Sequence, residues 1–248
     1  METTYIEIDS PDKHLSDVLE EIPSNVILYK TLTGIGATYS EIKAQRHSII
    51  IEPNVPVIIG KCNSDKHKND NLLGVYEGVT TDRIIKYLGA SRGKYYKILT
   101  TPESFTKVKD AFLIFNGKIY NTCFLLIDEA HKTIKDVDYR SDIVLPMNDF
   151  FKFKGKALVS ATPLKFSDPR FEENGFSIIK IEPTYDYAKE IDIKPSTNIL
   201  REVWEEFGWM PFITGQDKDR PFFIFINSVG IISVSYTHLR AHETAANL

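Results

Sequence analysis

Apolar runs of strand length recur along this chain without the in-out alternation of a half-exposed strand, and this feature constrains the fold most. Residues 25–31 (NVILYKT), 46–53 (RHSIIIEP), 94–102 (KYYKILTTP), 121–130 (NTCFLLIDEA) and 156–163 (KALVSATP) are apolar at successive positions. Successive side chains of a strand face opposite ways, so such runs belong to strands covered on both sides. Between them, residues 81–88, 103–112 and 139–151 carry helical spacing, with Pro146 expected to kink or divide the last. Strands alternating with helices predict an α/β fold with a doubly wound, mainly parallel sheet. Ligands of such sheets bind at the carboxyl ends of the strands.

Composition narrows the class. The 248 residues hold 30 basic and 34 acidic side chains, a formal net charge of −4. That excludes a wholly basic nucleic-acid coat but leaves room for a local basic groove. The hydrophobic share of 42% and charged share of 26% are those of a globular domain rather than a disordered chain. No run approaches about 18 apolar residues, so no membrane-spanning helix is expected. The opening METTYIEIDSPDKH lacks the apolar core of a secretory signal. Cys62 and Cys123 lie far apart and form no Cys-x-x-Cys pair, so buried thiols in a reducing cytoplasm are expected, not a disulfide scaffold or a zinc site.

Three segments are expected. Residues 1–183 form the first domain. Residues 184–196 mix a proline with charges of both signs as a connector, 198–207 (NILREVWEEF) have amphipathic helical spacing, and 220–229 (RPFFIFINSV) read as a first strand. Residues 184–232 are therefore a linker and the truncated start of a second domain. Residues 234–244 (VSYTHLRAHET) resemble the translation of a transposon-type sequencing adapter. The segment 233–248 is accordingly expected to be a non-native tail, His238 and His242 are not read as ligands, and the natural protein is expected to be longer.

Two strand ends carry chemistry. FLLIDEAH delivers Asp128 and Glu129 to the end of an apolar run. Neighbouring strand residues point to opposite sides, so the two carboxylates are expected to do different jobs. In a nucleotide hydrolase, the first holds Mg²⁺ and the second orients or deprotonates the attacking water. ALVSATP ends in Ser160, Ala161 and Thr162, whose hydroxyls could hydrogen-bond to the acidic motif. An acidic first helical turn and an ordinary pre-proline turn are the competing structural readings.

Together these motifs resemble motifs II and III of the superfamily 2 DEAD/DEAH-box helicases. Thr33, Gly34, Ile35, Gly36, Ala37 and Thr38 sit where motif I belongs, Glu52–Pro53 resembles motif Ia, and Thr101, Pro102 and Glu103 resemble motif Ib. The resemblance spans about residues 20–230. It implies a RecA-like P-loop domain, ATP and Mg²⁺ as cofactors, DNA or RNA as partner, and a second RecA-like domain largely missing from this chain. Residue by residue, it implies that Asp128 and Thr38 serve Mg²⁺, Glu129 is the catalytic carboxylate, and the loop 33–38 receives ATP. His131, Ser160, Ala161 and Thr162 would couple hydrolysis to strand movement, and Pro53, Thr101, Pro102 and Glu103 would lie along the nucleic-acid track. The chain looks closer to divergent proteins of phages and mobile elements than to housekeeping helicases. Without the arginines of a second domain, it is expected to be a weak or inactive ATPase.

Motif I departs from the family at one position. Gly34 and Gly36 keep the tight turn and Thr38 keeps the hydroxyl, but the lysine that should meet the phosphates is Ala37. Either Lys30 or Lys43 substitutes, or the domain hydrolyses slowly or not at all, or the loop is only a strand-to-helix turn. The rival functions are a phage DNA-packaging ATPase and a non-hydrolysing nucleic-acid-binding module of the same fold. Elsewhere, the basic residues of 61–68, with Lys94 and Lys97, read as a solvated loop rather than as nucleic-acid contacts. Tyr95, Tyr96, Phe112 and Phe115 read as core rather than base-stacking residues, and His47 as packed.

Overall fold

The computed structural model describes residues 1–32, 34–135, 145–162 and 168–187. The expected second domain, the tail, Thr33 and the first part of the expected helix over 139–151 lie outside these residues. In chain order the elements are β1 (Thr3–Ile8), α1 (Leu15–Val18), β2 (Val26–Lys30), α2 (Ala37–Lys43), β3 (Ser48–Ile51) and α3 (Val55–Asn63), followed by a 3₁₀ turn, Asp65–His67. Next come β4 (Leu72–Val75), α4 (Thr81–Ala90), β5 (Lys97–Thr100), α5 (Phe105–Phe115), α6 (Ile119–Thr122), β6 (Phe124–Ile127) and α7 (Ala130–Lys135). The last are α8 (Leu145–Phe150), β7 (Gly155–Ser160), α9 (Arg170–Glu173) and β8 (Ser177–Pro183).

The strands form one eight-stranded sheet in the order β1-β8-β2-β7-β6-β3-β5-β4. Every pairing among the described residues is parallel. The unalternating apolar runs are explained by two cores, one on each face. Ile27, Ile49, Ile51, Leu125, Ile127 and Leu158 join α4 and α5 on one side. The residues between them, Leu28, Ile50, Leu126, Ala157 and Val159, join α1, α2 and α3 on the other. This is the doubly wound arrangement, and it puts all strand carboxyl ends on one edge.

Several boundaries differ from expectation. Residues 121 and 122 belong to α6 rather than to a strand, and Ala130 opens α7. Residues 61–68 are not a loop: they span the end of α3 and the 3₁₀ turn. Pro146 lies in the first turn of α8, where a missing N–H forfeits no helical bond. Tyr95 is 43% exposed, whereas Tyr96, Phe112 and Phe115 do pack in the core.

Lys97 is no surface cation. Its ammonium is buried and donates to the Glu41 and Ala44 carbonyls at 2.7 and 2.8 Å and to Ser48 Oγ at 3.0 Å. Beside it, Arg46 forks onto the fully buried Glu41 carboxylate at 3.0 and 2.5 Å. This cluster ties α2 to the amino ends of β3 and β5.

Candidate functional site

The site forms at the carboxyl edge, where four strand ends meet. β2 ends at Lys30, β6 hands over to Asp128, β7 ends at Ser160, and β3 hands over to Glu52. β7 lies between β2 and β6, so the loop after β2 and the acidic pair face each other across one strand rather than from paired neighbours.

Between β2 and α2 the chain needs backbone that only glycine adopts freely. Gly34 and Gly36 have φ of 83° and 87°, in the left-handed region. A Cβ on Gly36 would stand 3.6 Å from the His14 ring, so the loop also packs closely on the segment leading into α1. The turn delivers Ala37 and Thr38 to the start of α2, both buried.

Asp128 is the hub. It is 3% exposed, and its carboxylate accepts from Lys30 Nζ at 3.0 Å, from the Glu129 N–H at 2.9 Å, and from the Thr38 hydroxyl. Lys30 also meets Glu129 Oε1 at 2.8 Å. The two carboxylates therefore do not diverge to opposite sides as the pleat of a strand would require. Glu129 has φ of 50°, which breaks the strand geometry and turns its side chain back onto Lys30. Burial pulls the Lys30 ammonium down, but the adjacent Asp128 charge and the bonds to both carboxylates outweigh it, leaving its pKa above the ordinary lysine value. Lys30 is thus a cation in this site.

His131 Nδ1 lies 3.2 Å from Ser160 Oγ and 3.4 Å from Glu129 Oε2. Ser160, 1% exposed, donates to the Thr162 carbonyl at 2.8 Å and accepts from the Thr162 N–H at 3.1 Å. One chain of contacts therefore runs from Lys30 through Glu129 and His131 to Ser160 and Thr162, with Ala161 between the last two.

These groups border a cleft of about 990 Å³, lined among others by Gly34, Gly36, Lys30, Thr38, Asp128 and Glu129. Its size lies at the upper end of the range for small-molecule sites. The cleft also includes His14 and Lys132, which sequence reasoning passed over, Lys61 and Lys66, which it read as solvated, and Glu52, which it placed in motif Ia without a role in this cleft. Glu52 is 3% exposed, and burial followed by the nearby Asp128 charge raises its carboxyl above the usual range, partly offset by its bonds to Asn54. Its sequence signals were its position closing an apolar run, as Asp128 does, and the resemblance of Glu52–Pro53 to motif Ia.

Pro53, Thr101, Pro102 and Glu103 lie on the same edge, outside the lining of this cleft. Thr101 and Pro102 are buried, and Thr101 Oγ1 accepts from the Ser104 N–H at 3.3 Å, while Glu103 is exposed. Lys43 points elsewhere, paired with Asp70 at 2.7 Å.

The donor set suits a hard cation: a carboxylate and a hydroxyl converge, and oxygen ligands are what Mg²⁺ takes. Among the described residues no group of three or more acidic, His or Cys side chains could cage a metal alone. Mg²⁺ characteristically fits such sparse sites, because phosphate oxygens and water complete its shell.

No protein-family model matches the chain, and no curated protein matches its sequence. Solved structures do. The DUF1998 helicase MrfA is similar with a TM-score of 0.50 and 11% identity, over 90% of this chain and 36% of that one. The helicase domain of Hef from Pyrococcus furiosus gives a TM-score of 0.44 and 14% identity, over 79% of this chain and 44% of that one. A hypothetical ATP-dependent RNA helicase from Sulfolobus tokodaii gives 0.44 and 16%, over 63% and 48%. The likeness is one of fold. The all-parallel, doubly wound sheet is an α/β fold shared with MrfA, and this chain spans less than half the length of each of these proteins. Among the described residues no helix is long and apolar enough to cross a membrane.

Proposed function

We propose that residues 1–187 are a RecA-like nucleotide-binding domain of a superfamily 2, DEAH-type helicase or translocase, binding ATP with Mg²⁺ and acting on DNA or RNA. One observation carries the reading. The Thr38 hydroxyl after the glycine turn and the Asp128 carboxylate at the end of β6 are hydrogen-bonded to each other in the wall of a single cleft. Residues from two distant motifs meet where a triphosphate with its metal would need both.

In this reading the N–H groups around Gly34 and Gly36 receive phosphate oxygens. Asp128 and Thr38 hold Mg²⁺, which when bound neutralises phosphate charge. Glu129 orients the attacking water and takes its proton. His131 and Ser160 pass the state of Glu129 to Thr162, just past the end of β7. Pro53, Thr101, Pro102 and Glu103 border the nucleic-acid track on the same edge.

The test is a titration of the 248-residue chain with a fluorescent ATP analogue. Saturable binding that chelation of Mg²⁺ weakens, and that unlabelled ATP competes more strongly than AMP, is expected. No binding with Mg²⁺ present rejects the reading.

A further inference from the structure

Motif I lacks its lysine, yet the cleft does not lack a buried cation. We infer that Lys30, from the strand before the loop, does the work expected of residue 37: it is the group that meets the terminal phosphates of the bound nucleotide. The inference rests on the nucleotide-binding reading above and assigns a residue to it.

Placement is the first argument. Lys30 is the last residue of β2, so its side chain starts at the mouth of the glycine turn and lines the cleft with Gly34, Gly36 and Thr38. Residue 37 is a buried alanine, 3% exposed, and brings no charge. Of the two candidate substitutes, Lys43 is committed to Asp70 at 2.7 Å and donates to the Lys66 carbonyl at 3.2 Å. Lys61, Lys66 and Lys132 line the cleft but are only half-buried or exposed, whereas Lys30 is 7% exposed.

Its present partners give the second argument. Lys30 bridges Asp128 Oδ1 and Glu129 Oε1 at 3.0 and 2.8 Å. These are the carboxylates assigned to the metal and to the attacking water, so the ammonium already sits where anionic charge is handled. The buried Asp128 carboxylate, with the half-buried Glu129 beside it, requires a counter-ion, and Lys30 is that counter-ion when no nucleotide is present. A triphosphate offers the ammonium a denser anion, and Mg²⁺ on Asp128 competes for one of its two partners. Moving Lys30 from the carboxylates to phosphate also releases Glu129 Oε1 for the attacking water. Nucleotide binding and the freeing of the base become one event. Separating the cation from the glycine–threonine sequence is the feature that distinguishes this site from one with lysine at position 37.

Binding of the fluorescent ATP analogue, with ATP and AMP as competitors, is compared in wild type, Lys30→Met, Lys30→Arg and Lys30→Met/Ala37→Lys. Lys30→Met should weaken ATP tenfold or more and AMP by less than threefold. Lys30→Arg should keep part of the difference, and the double variant should restore the preference for ATP over AMP. The ATP-to-AMP ratio is a readout that a merely structural role would not move. Should Lys30→Met fail to fold, Lys30→Arg and the double variant, which keep a cation in the cleft, carry the comparison. A ratio unchanged in Lys30→Met, or a double variant that folds and does not recover it, overturns the assignment of Lys30 while leaving the nucleotide site standing. Absence of ATP binding by the wild-type chain overturns both.

Discussion

Two buried charge clusters sit at opposite ends of the same sheet, each centred on a lysine. At the amino ends of β3 and β5, Lys97 donates to two carbonyls and a serine hydroxyl, beside a Glu41 carboxylate fully occupied by Arg46 and Ser48. At the carboxyl ends, Lys30 sits between Asp128 and Glu129 on the wall of a large cleft. Burial drives the Lys97 ammonium down to about 8, whereas two adjacent carboxylates hold Lys30 above its ordinary value. The closed cluster is satisfied by the protein's own carbonyls and fixes α2 in place. The open one holds its charges beside space that a ligand can enter. Burial of charge alone does not make a candidate site; burial beside a cavity does.

The comparison can be broken first at the closed cluster. Glu41→Ala leaves Arg46 and Ser48 without their buried acceptor and should cost about 3–5 kcal/mol, read by urea or thermal unfolding. Whatever fraction still folds should bind nucleotide as wild type does. Loss of nucleotide affinity in folded protein would merge the two clusters into one site.

The pH dependence of Lys97 gives the next largest effect. The folded protein releases this proton near 8, the unfolded chain only near 10.5, so the unfolded state holds more protons across that window. Stability should therefore rise with pH between those values, by an amount on the order of 3 kcal/mol for this group. The contribution is fully present above 10.5 and lost as pH falls through about 8. Chemical denaturation of wild type against Lys97→Met, which has no such rise, isolates it. Parallel curves for the two proteins would contradict the assignment.

At the open cluster, Glu129→Gln should lower any ATP turnover about 100-fold or more with nucleotide affinity retained. Unchanged turnover removes Glu129 from its role. The smallest effect belongs to Ser160→Ala, which deletes the contacts to His131 and Thr162 for about 1 kcal/mol of stability. Its diagnostic consequence is a weaker stimulation of turnover by nucleic acid, with basal turnover nearly intact.

Much of this architecture was legible because strands buried on both faces leave continuous apolar runs: β2, β3, β5, β6 and β7 all do so. β1 did not, since an edge strand reading TTYIEI buries fully only Ile8. β4 is four residues with a glycine inside, and that glycine is required because a Cβ on Gly74 would stand 2.9 Å from Ile58 of α3. Helix α3 escaped notice because it begins Val-Pro, contains Gly60 and buries fully only Ile58. The motif residues were visible as strand-end residues, but their geometry was not. Nothing local in Asp-Glu announces the left-handed turn at Glu129 that brings both carboxylates onto Lys30. That contact joins residues 98 positions apart and exists only once the sheet has formed.

The central claim is that a triphosphate and its magnesium occupy the cleft between the glycine turn and the acidic pair. A crystal structure of the domain with Mg²⁺ and a non-hydrolysable ATP analogue tests it most directly. The account predicts phosphates against Gly34–Gly36, the metal beside Thr38 and Asp128, and the Lys30 ammonium transferred from Glu129 to the phosphates. An analogue bound elsewhere on the sheet, with Lys30 still locked between its two carboxylates, would contradict it.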